Sequence, residues 1–470
     1  MDISIKLSRD FERCLDDLRK KYGEDFEFLN GIHPSQLDHS CFLDNFVKND
    51  TLADTTVDPN ANANHKDIRS FIIEKGKSED KLFGLNKVFY EMKKKWGLKT
   101  AKDWLEQEFS RGFYLNDATS VSYFPYCYAV DLTRLAKEGL FFLKGYNNQP
   151  PKHLTTFLDA VIEFVSFLSN RQSGSVGLPN ILIWCYYFWK KDVEEGYYMK
   201  SPEYYRDQNF QEIIFKLNQP YLRQGTQSAF TNFSIFDRNY FEALFGGKTF
   251  PDGSYMIDIE DEFMEYQKAF MRMVSKTRSE NMFTFPVLTF SLLRKDGKFV
   301  DEDFAKWCCL HNMQWGDSNF FVSDDITSLS NCCRLVSDVK DLGYFNSVGG
   351  TALEVGSIKV NTINLARIAY ETKTKAQYLN MLKDMLLSLR TENPDMAIVL
   401  GSTFGDKPSL LVVLGQARVD AGKNASNIVR QAGKEMQGGG GGQPFFATAG
   451  GKNVGGVAKA MEVAKSIIEE

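Results

Sequence analysis

The chain has 470 residues, 43% hydrophobic and 25% charged, with a formal net charge of −5. That length suits two or three domains, and that apolar fraction supplies a large core, which excludes wholesale disorder. The near-neutral balance removes any global electrostatic argument for nucleic-acid binding, and an aromatic content of 14% favours layered packing over a repeat array.

The first 110 residues read as a helical region around one polar loop. Leu7 to Tyr22 places Leu7, Phe11, Cys14, Leu15 and Leu18 at helical spacing. Asp58-Pro59-Asn60-Ala61-Asn62-Ala63-Asn64 is turn-forming and breaks the pattern. Leu82 to Trp96 and Thr100 to Phe109 return to helix. From residue 113 short strand-like runs alternate with long amphipathic helices. Thr155 to Leu168 is predicted helical, and so is Ile259 to Ser275, whose apolar stripe is Phe263, Tyr266, Phe270, Met273 and Val274. Ile181 to Trp189 is a buried element of either type. Phe285 to Leu292 and Ile358 to Ile363 read as strands. This alternation predicts an α/β body over residues 111–385 with a largely parallel sheet, open or closed into a barrel.

Composition then breaks. Residues 394–470 contain three aromatics (Phe404, Phe445, Phe446), no cysteine and fourteen of the chain's 35 glycines. Such a shift marks a domain boundary between Tyr378 and Pro394. The tail is expected to run β-β-α-loop-α: strands Met396 to Leu400 and Ser409 to Leu414, a helix Asn424 to Met436, a loop Gly438 to Gly442, and a helix Val454 to Ile468.

The longest apolar run, Ile181 to Trp189, is far short of a membrane span, and charge near Met1 argues against a signal peptide. Vicinal pairs Cys308-Cys309 and Cys332-Cys333 suggest no disulfide framework. The expectation is a cytoplasmic protein with reduced thiols and no metal site, since Cys308-Cys309 with His311 lacks a second ligand pair at zinc spacing.

Three segments could carry chemistry. In Asn331-Cys332-Cys333-Arg334-Leu335 a neighbouring cation favours thiolate, although two cysteines also fill a core as small hydrophobes. Cys127, in Tyr126-Cys127-Tyr128, has a weaker individual claim. Five consecutive glycines, Gly438 to Gly442, allow close approach to a partner or present N–H groups to phosphate, but fit neither a Walker A nor a GxGxxG pattern.

Residues from about 40 to about 380 resemble the anaerobic (class III, glycyl-radical) ribonucleoside-triphosphate reductases. The resemblance is carried by Asp58-Pro59-Asn60-Ala61-Asn62, Phe113-Tyr114-Leu115-Asn116-Asp117, Pro125-Tyr126-Cys127 and Pro150-Pro151-Lys152-His153-Leu154. It continues in Gln224 to Asn232, Asn331 to Leu335, and Gly356-Ser357-Ile358 with Val360 to Leu365. It implies part of a ten-stranded α/β barrel whose finger loop carries a cysteine to the centre. By motif position Cys333 resembles the thiyl-radical cysteine that takes the ribose 3′-hydrogen. Cys127 resembles the cysteine on the opposite ribose face. Asn116, Asp117, Gln227, Ser228, Asn331 and Ser357 are the substrate-binding positions the motifs imply. Asn331 stands where some members carry Met and Ser357 where some carry Asn, positions that bear on the reductant, formate or a redoxin.

The resemblance also implies a glycyl radical installed by a radical-SAM activating protein, nucleoside triphosphates as substrate and effector, and a homodimer. The radical loop's Arg-x-x-Gly-Tyr signature and its CxxC pairs do not occur in the 470 residues, nor does an N-terminal ATP-binding cone. The expectation is that this chain alone has no reductase activity.

The tail resembles the DHHA1 domain of alanyl-tRNA synthetase through Asp406-Lys407-Pro408-Ser409, Asn424-Ala425, Ile428 to Lys434 and Gly438 to Lys452. That resemblance implies tRNA as a partner, with Arg430, Lys434, Gly440 and Lys452 as contacts. Two families in one chain also fit a joined or mis-assembled reading frame with its junction near residues 380–393.

Overall fold

The computed structural model describes residues 7–48, 68–116, 124–142, 149–223, 227–281, 283–324, 326, 328–330, 336–338, 356–357, 360–372, 374, 377–378, 381, 396–404 and 407–469. The chain forms two compact units, one of residues Met1–Lys94 and Leu115–Thr362, the other of Lys95–Tyr114 and Ile363–Glu470.

The first unit opens with helices α1 (Arg9–Tyr22), α2 (Asp25–Asn30), α3 (Pro34–Leu37), α4 (His39–Lys48) and most of α5 (Ile68–Trp96). The stripe Phe11, Cys14, Leu15 and Leu18 is buried as its spacing requires, and Phe11 meets Phe89 of α5 edge-on at 5.5 Å. Helix α6 (Leu98–Phe109) and strand β1 (Phe113–Leu115) follow.

The body then runs β2 (Cys127–Ala129), α7 (Thr133–Glu138), α8 (Leu154–Ser169), β3 (Val176–Gly177), α9 (Ile181–Glu194), α10 (Pro202–Leu217), β4 (Thr231–Phe236), α11 (Arg238–Phe245) and α12 (Glu260–Glu280). Next come β5 (Val287–Lys295), β6 (Lys298–Phe299), α13 (Glu302–Trp315), β7 (Ser318–Ser323), β8 (Ser328–Ser330), β9 (Val336–Asp338), β10 (Gly356–Ser357) and β11 (Asn361–Ile363). Strands β2, β3, β4, β5 and β7 are parallel neighbours in that order, and β10 adds antiparallel to β2. Five parallel strands joined through helices make the half-barrel that the alternation predicts.

Ile181 to Trp189, open between helix and strand by pattern, lies in α9; Ile181 through Phe188 are all buried, and a helix apolar on every side belongs in a core. Helix α8 presents Leu154, Phe157, Leu158, Val161, Ile162 and Val165 to the same core. The side chains of β4 and β5 divide by strand alternation. Phe233, Ile235, Leu288, Phe290 and Leu292 belong to the helix-packed core. Asn232 lies on the other face, where its Nδ2 donates to Thr289 Oγ1 at 3.0 Å, with Ser234 and Ser291 at alternate positions. Among the described residues no helix is long and apolar enough to cross a membrane.

The second unit contains α6, α14 (Leu365–Glu371), β12 (Ala397–Phe404), β13 (Lys407–Leu414), α15 (Gln416–Asp420), α16 (Ala425–Ala432), β14 (Gly439–Gln443), β15 (Phe446–Gly450) and α17 (Val457–Glu469). Its antiparallel sheet has the order β12-β13-β15-β14. Here the sequence expectation fails: the glycine run is a strand, not a loop. Gly439 pairs with Gly450, Gly440 with Ala449, Gly441 with Thr448 and Gly442 with Ala447, and the strands turn at Pro444-Phe445. Glycine is a poor strand former. It is used here because a Cβ at Gly438, Gly440 or Gly442 would run into the backbone of residues 446–451. Only a side-chain-free strand can lie that close.

Leu410, Val412, Leu414, Ala447 and Ala449 face α16 and α17. Leu411, Val413 and Phe446 pack on the other side with Ile368 of α14 and with Phe113, Ile363 and Met381.

Candidate active site around Cys127

Cys127 opens the first strand of the parallel sheet and is 2% exposed. Three segments remote in sequence fix it. Strand β10 sets Ser357 directly opposite, so that the Cys127 N–H donates to Ser357 Oγ at 3.3 Å and the Tyr126 N–H to the Ser357 carbonyl at 2.8 Å. The turn before β3 supplies Ser175, whose N–H donates to Cys127 Sγ at 3.3 Å and whose hydroxyl lies 3.4 Å from the same sulfur. The segment after β1 supplies Asn116, which donates to the Tyr126 hydroxyl at 3.3 Å and accepts from Thr362 Oγ1 at 3.3 Å. Its N–H is held by the Val360 carbonyl at 3.0 Å. A thiol packed among hydrogen-bonding groups rather than hydrocarbon is poised for chemistry. Cys185 and Cys308 form the contrast, because burial pushes both thiols far up.

The fit is tight. A Cβ at Gly174 would sit inside the radii of Cys127 Sγ and of the Tyr126 carbonyl, and one at Gly356 would lie 2.7 Å from the Tyr128 ring. The Gly174 turn is itself secured by Arg223, whose guanidinium donates to the Ser173 carbonyl and lies 4.2 Å over the Phe230 ring. Ser175, Gly174 and Arg223 escaped sequence reasoning. The available signal was the small-residue run Ser173-Gly174-Ser175 leading straight into a strand.

Of the positions implied by motif, the structure brings Cys127, Ser357 and Asn116 together. Gln227 contributes its carbonyl, which accepts the Arg223 N–H at 3.2 Å. Ser228 is fully buried and donates its hydroxyl to the Asn218 carbonyl at 2.8 Å. Asp117, Asn331 and Cys333 lie outside the described residues. The segment holding Asn331 and Cys333 is framed by β8 and β9, which pair antiparallel with Ser330 opposite Val336. In the tail, Arg430 and Lys434 are exposed one helical turn apart, and the Lys452 N–H bonds the Met436 carbonyl at 2.8 Å. These three and Gly440 surround the glycine strand at the sheet edge.

A parallel five-stranded half-barrel with a strand cysteine gripped across an antiparallel junction defines the α/β barrel class of radical reductases. Comparison with known proteins agrees: the family model described as "Anaerobic ribonucleoside-triphosphate reductase" matches residues 81–430, and the chain belongs to that family. The anaerobic ribonucleotide reductase of Thermotoga maritima, solved in complex with dATP and CTP, is 38% identical with a TM-score of 0.68, covering 83% of this chain and 61% of that one. The same enzyme with citrate in its active site is 35% identical with a TM-score of 0.66, covering 83% and 67%.

A second likeness concerns the tail. Alanine–tRNA ligase of Cytophaga hutchinsonii is 36% identical over 112 residues, 24% of this chain and 12% of the ligase. That of Bacteroides thetaiotaomicron is 46% identical over 83 residues, 17% and 10% respectively. The chain thus spans about three-fifths of the first reductase structure and about a tenth of each ligase.

Proposed function

We propose that this chain is the substrate-side part of an anaerobic ribonucleoside-triphosphate reductase. The net reaction replaces the ribose 2′-hydroxyl by hydrogen, consuming two electrons and two protons and releasing water. Cys333, as a thiyl radical, takes the 3′-hydrogen atom; Cys127 delivers reducing equivalents from the opposite face of the ring. Two sulfurs on opposite ribose faces need two remote segments on one rigid scaffold, which is the effective-molarity argument in structural form. Ser357 and Asn116 line the Cys127 side. The oxidant for Cys333 is a glycyl radical, which a radical-SAM protein installs and a separate polypeptide supplies to this chain. The dATP and CTP bound by the Thermotoga enzyme support nucleotides as effector and substrate. Reduced thiols and anaerobic chemistry fit the cytoplasm.

The observation that carries this reading is the Cys127–Ser357 pairing inside a family-matched half-barrel. Its test is thiol cross-linking under anaerobic conditions. Dibromobimane should bridge Cys127 to Cys333, and a ribonucleoside triphosphate should block the bridge. Failure to bridge, or a bridge indifferent to nucleotide, would overturn the reading. A second assay addresses the radical source: the purified chain with activase and reductant should form no deoxynucleotide, and product would refute the proposed dependence on another polypeptide.

A second reading rests on the ligase-like tail. Arg430, Lys434 and Lys452 around a glycine edge strand suit a phosphate backbone, so the tail should bind tRNA with an affinity that falls as salt rises. Filter binding that is absent at micromolar protein, or indifferent to salt, removes it.

A further inference from the structure

The helix side of the half-barrel carries a cleft of about 560 Å³ between α12 and α13, a volume within the range of small-molecule sites. It lies beside β5 and β7, on a different part of the sheet from Cys127. Arg272 and Lys276, one turn apart on α12, form one wall; Leu310, Gln314 and Trp315 of α13 form the other. No carboxylate lines it.

Its polar side chains are unspent. Among the described residues Arg272 and Lys276 have no ion-pair partner and the Gln314 amide has no hydrogen bond. Neighbouring cations are committed: Lys268 pairs with Glu265 at 2.8 Å, and Arg278 donates to the Phe283, Pro286 and Asp317 carbonyls. The two tryptophans differ in the same way. Trp307 is stacked on His311 at 5.1 Å and on Phe304 at 5.9 Å, so it offers an edge. Trp315 is 39% exposed and has no ring contact among the described residues, so a face is open. The floor is preformed, because His311 Nε2 is held by Ser275 Oγ at 3.1 Å and the same hydroxyl donates to Asp317 at 3.2 Å.

We infer that this cleft is a binding site for a nucleoside phosphate. Two free cations at helical spacing suit phosphate oxygens through charge-assisted bonds. An open indole face suits a planar base. An unpaired amide supplies one donor and one acceptor for a ring edge. The site is independent of the radical chemistry proposed above, and its ligand acts as neither the reduced ribonucleotide nor its product.

The test uses the full chain and ATP as probe. Photolabelling with 8-azido-ATP followed by peptide mapping should place saturable label on residues 302–315, and unlabelled ATP should compete. Adenosine and inorganic phosphate, each holding half of the recognised chemistry, should compete poorly. The double variant Arg272→Ala/Lys276→Ala alters two exposed side chains, so its thermal melt should match the parent. ATP binding at this site should weaken roughly tenfold or more, as expected when a charge-assisted hydrogen bond to phosphate is removed. Lys276→Arg should retain binding. Label confined to other peptides, parental affinity in the double variant, or displacement of ATP by polyglutamate as effectively as by ATP would each overturn the inference. The peptide mapping separates label here from label near Cys127, and it stands even if a variant folds poorly.

Discussion

Ser175 holds the Cys127 sulfur from two directions, with its N–H at 3.3 Å and its hydroxyl at 3.4 Å, while the preceding residue leaves no room for a side chain. Strand, turn and thiol are therefore one mechanical piece. Gly174→Ala must push either the turn or β2 aside, and overpacking of this kind costs about 1–3 kcal/mol. Ser175→Ala keeps the N–H in place and removes only the hydroxyl, a loss of about 1 kcal/mol. Denaturant midpoints rank the two, and alkylation of Cys127 should quicken more in Gly174→Ala. Equal stability and equal thiol reactivity in both variants and the parent would show that the turn does not position the sulfur.

Much of this site was legible in the sequence as motifs and little of it as pattern. Cys127 and Ser357 could be named because strings around them resemble a family; nothing in periodicity says that β10 crosses back to pair with β2. Helices α8 and α12 were legible because their stripes repeat every three to four residues. The glycine strand was not, since local propensity points to loop and only the proximity of Ala447 and Ala449 reverses it. Ser173-Gly174-Ser175 was missed for a related reason: small residues record a close approach without naming the partner.

Asp317 is buried with Arg278, His311 and Ser275, and its charge is needed there. Burial by itself would raise its carboxyl, but hydrogen bonds from His311 and Ser318 and the Arg278 charge outweigh it and hold the group below the usual carboxylate value. A carboxyl lowered in the folded state stabilises the protein above its ordinary pKa, and that contribution fades as pH falls through the folded value. Asp317→Asn should cost about 3 kcal/mol at neutral pH, because Arg278 is then left buried without its counter-charge. It should also flatten the acid limb of the stability curve. A variant that melts like the parent at pH 7 contradicts this account.

The glycine strand makes an alternating prediction. A Cβ at Gly440 would lie 2.6 Å from Ala449 Cα, and one at Gly442 2.6 Å from Ala447 Cα. At Gly439 nothing lies within 4 Å, and at Gly441 the nearest atoms, on Arg430 and Ser426, are 3.9 Å away. Gly440→Ala and Gly442→Ala should each destabilise the tail by about 1–3 kcal/mol. Gly439→Ala and Gly441→Ala should be neutral to slightly stabilising, because alanine restricts the unfolded chain. Hydrogen exchange of β15 amides reads all four. A loop would tolerate all of them alike, so uniform tolerance would disprove the strand.

The tail sheet is apolar on both faces, and the second face is completed by residues from the reductase-like part of the sequence. Leu411, Val413 and Phe446 pack with Ile368, Phe113, Ile363 and Met381 within one compact unit. A fragment of residues 394–470 therefore exposes that face and should self-associate and bind a hydrophobic dye. Leu411→Ala separates the two situations. In the full chain it removes a buried side chain and should cost about 2–4 kcal/mol. In the fragment the same side chain is already in water, so the cost should fall well below that. Equal costs in both, with a monodisperse monomeric fragment, would mean that the tail folds without the neighbouring elements. The two family-like pieces would then share a chain but no core.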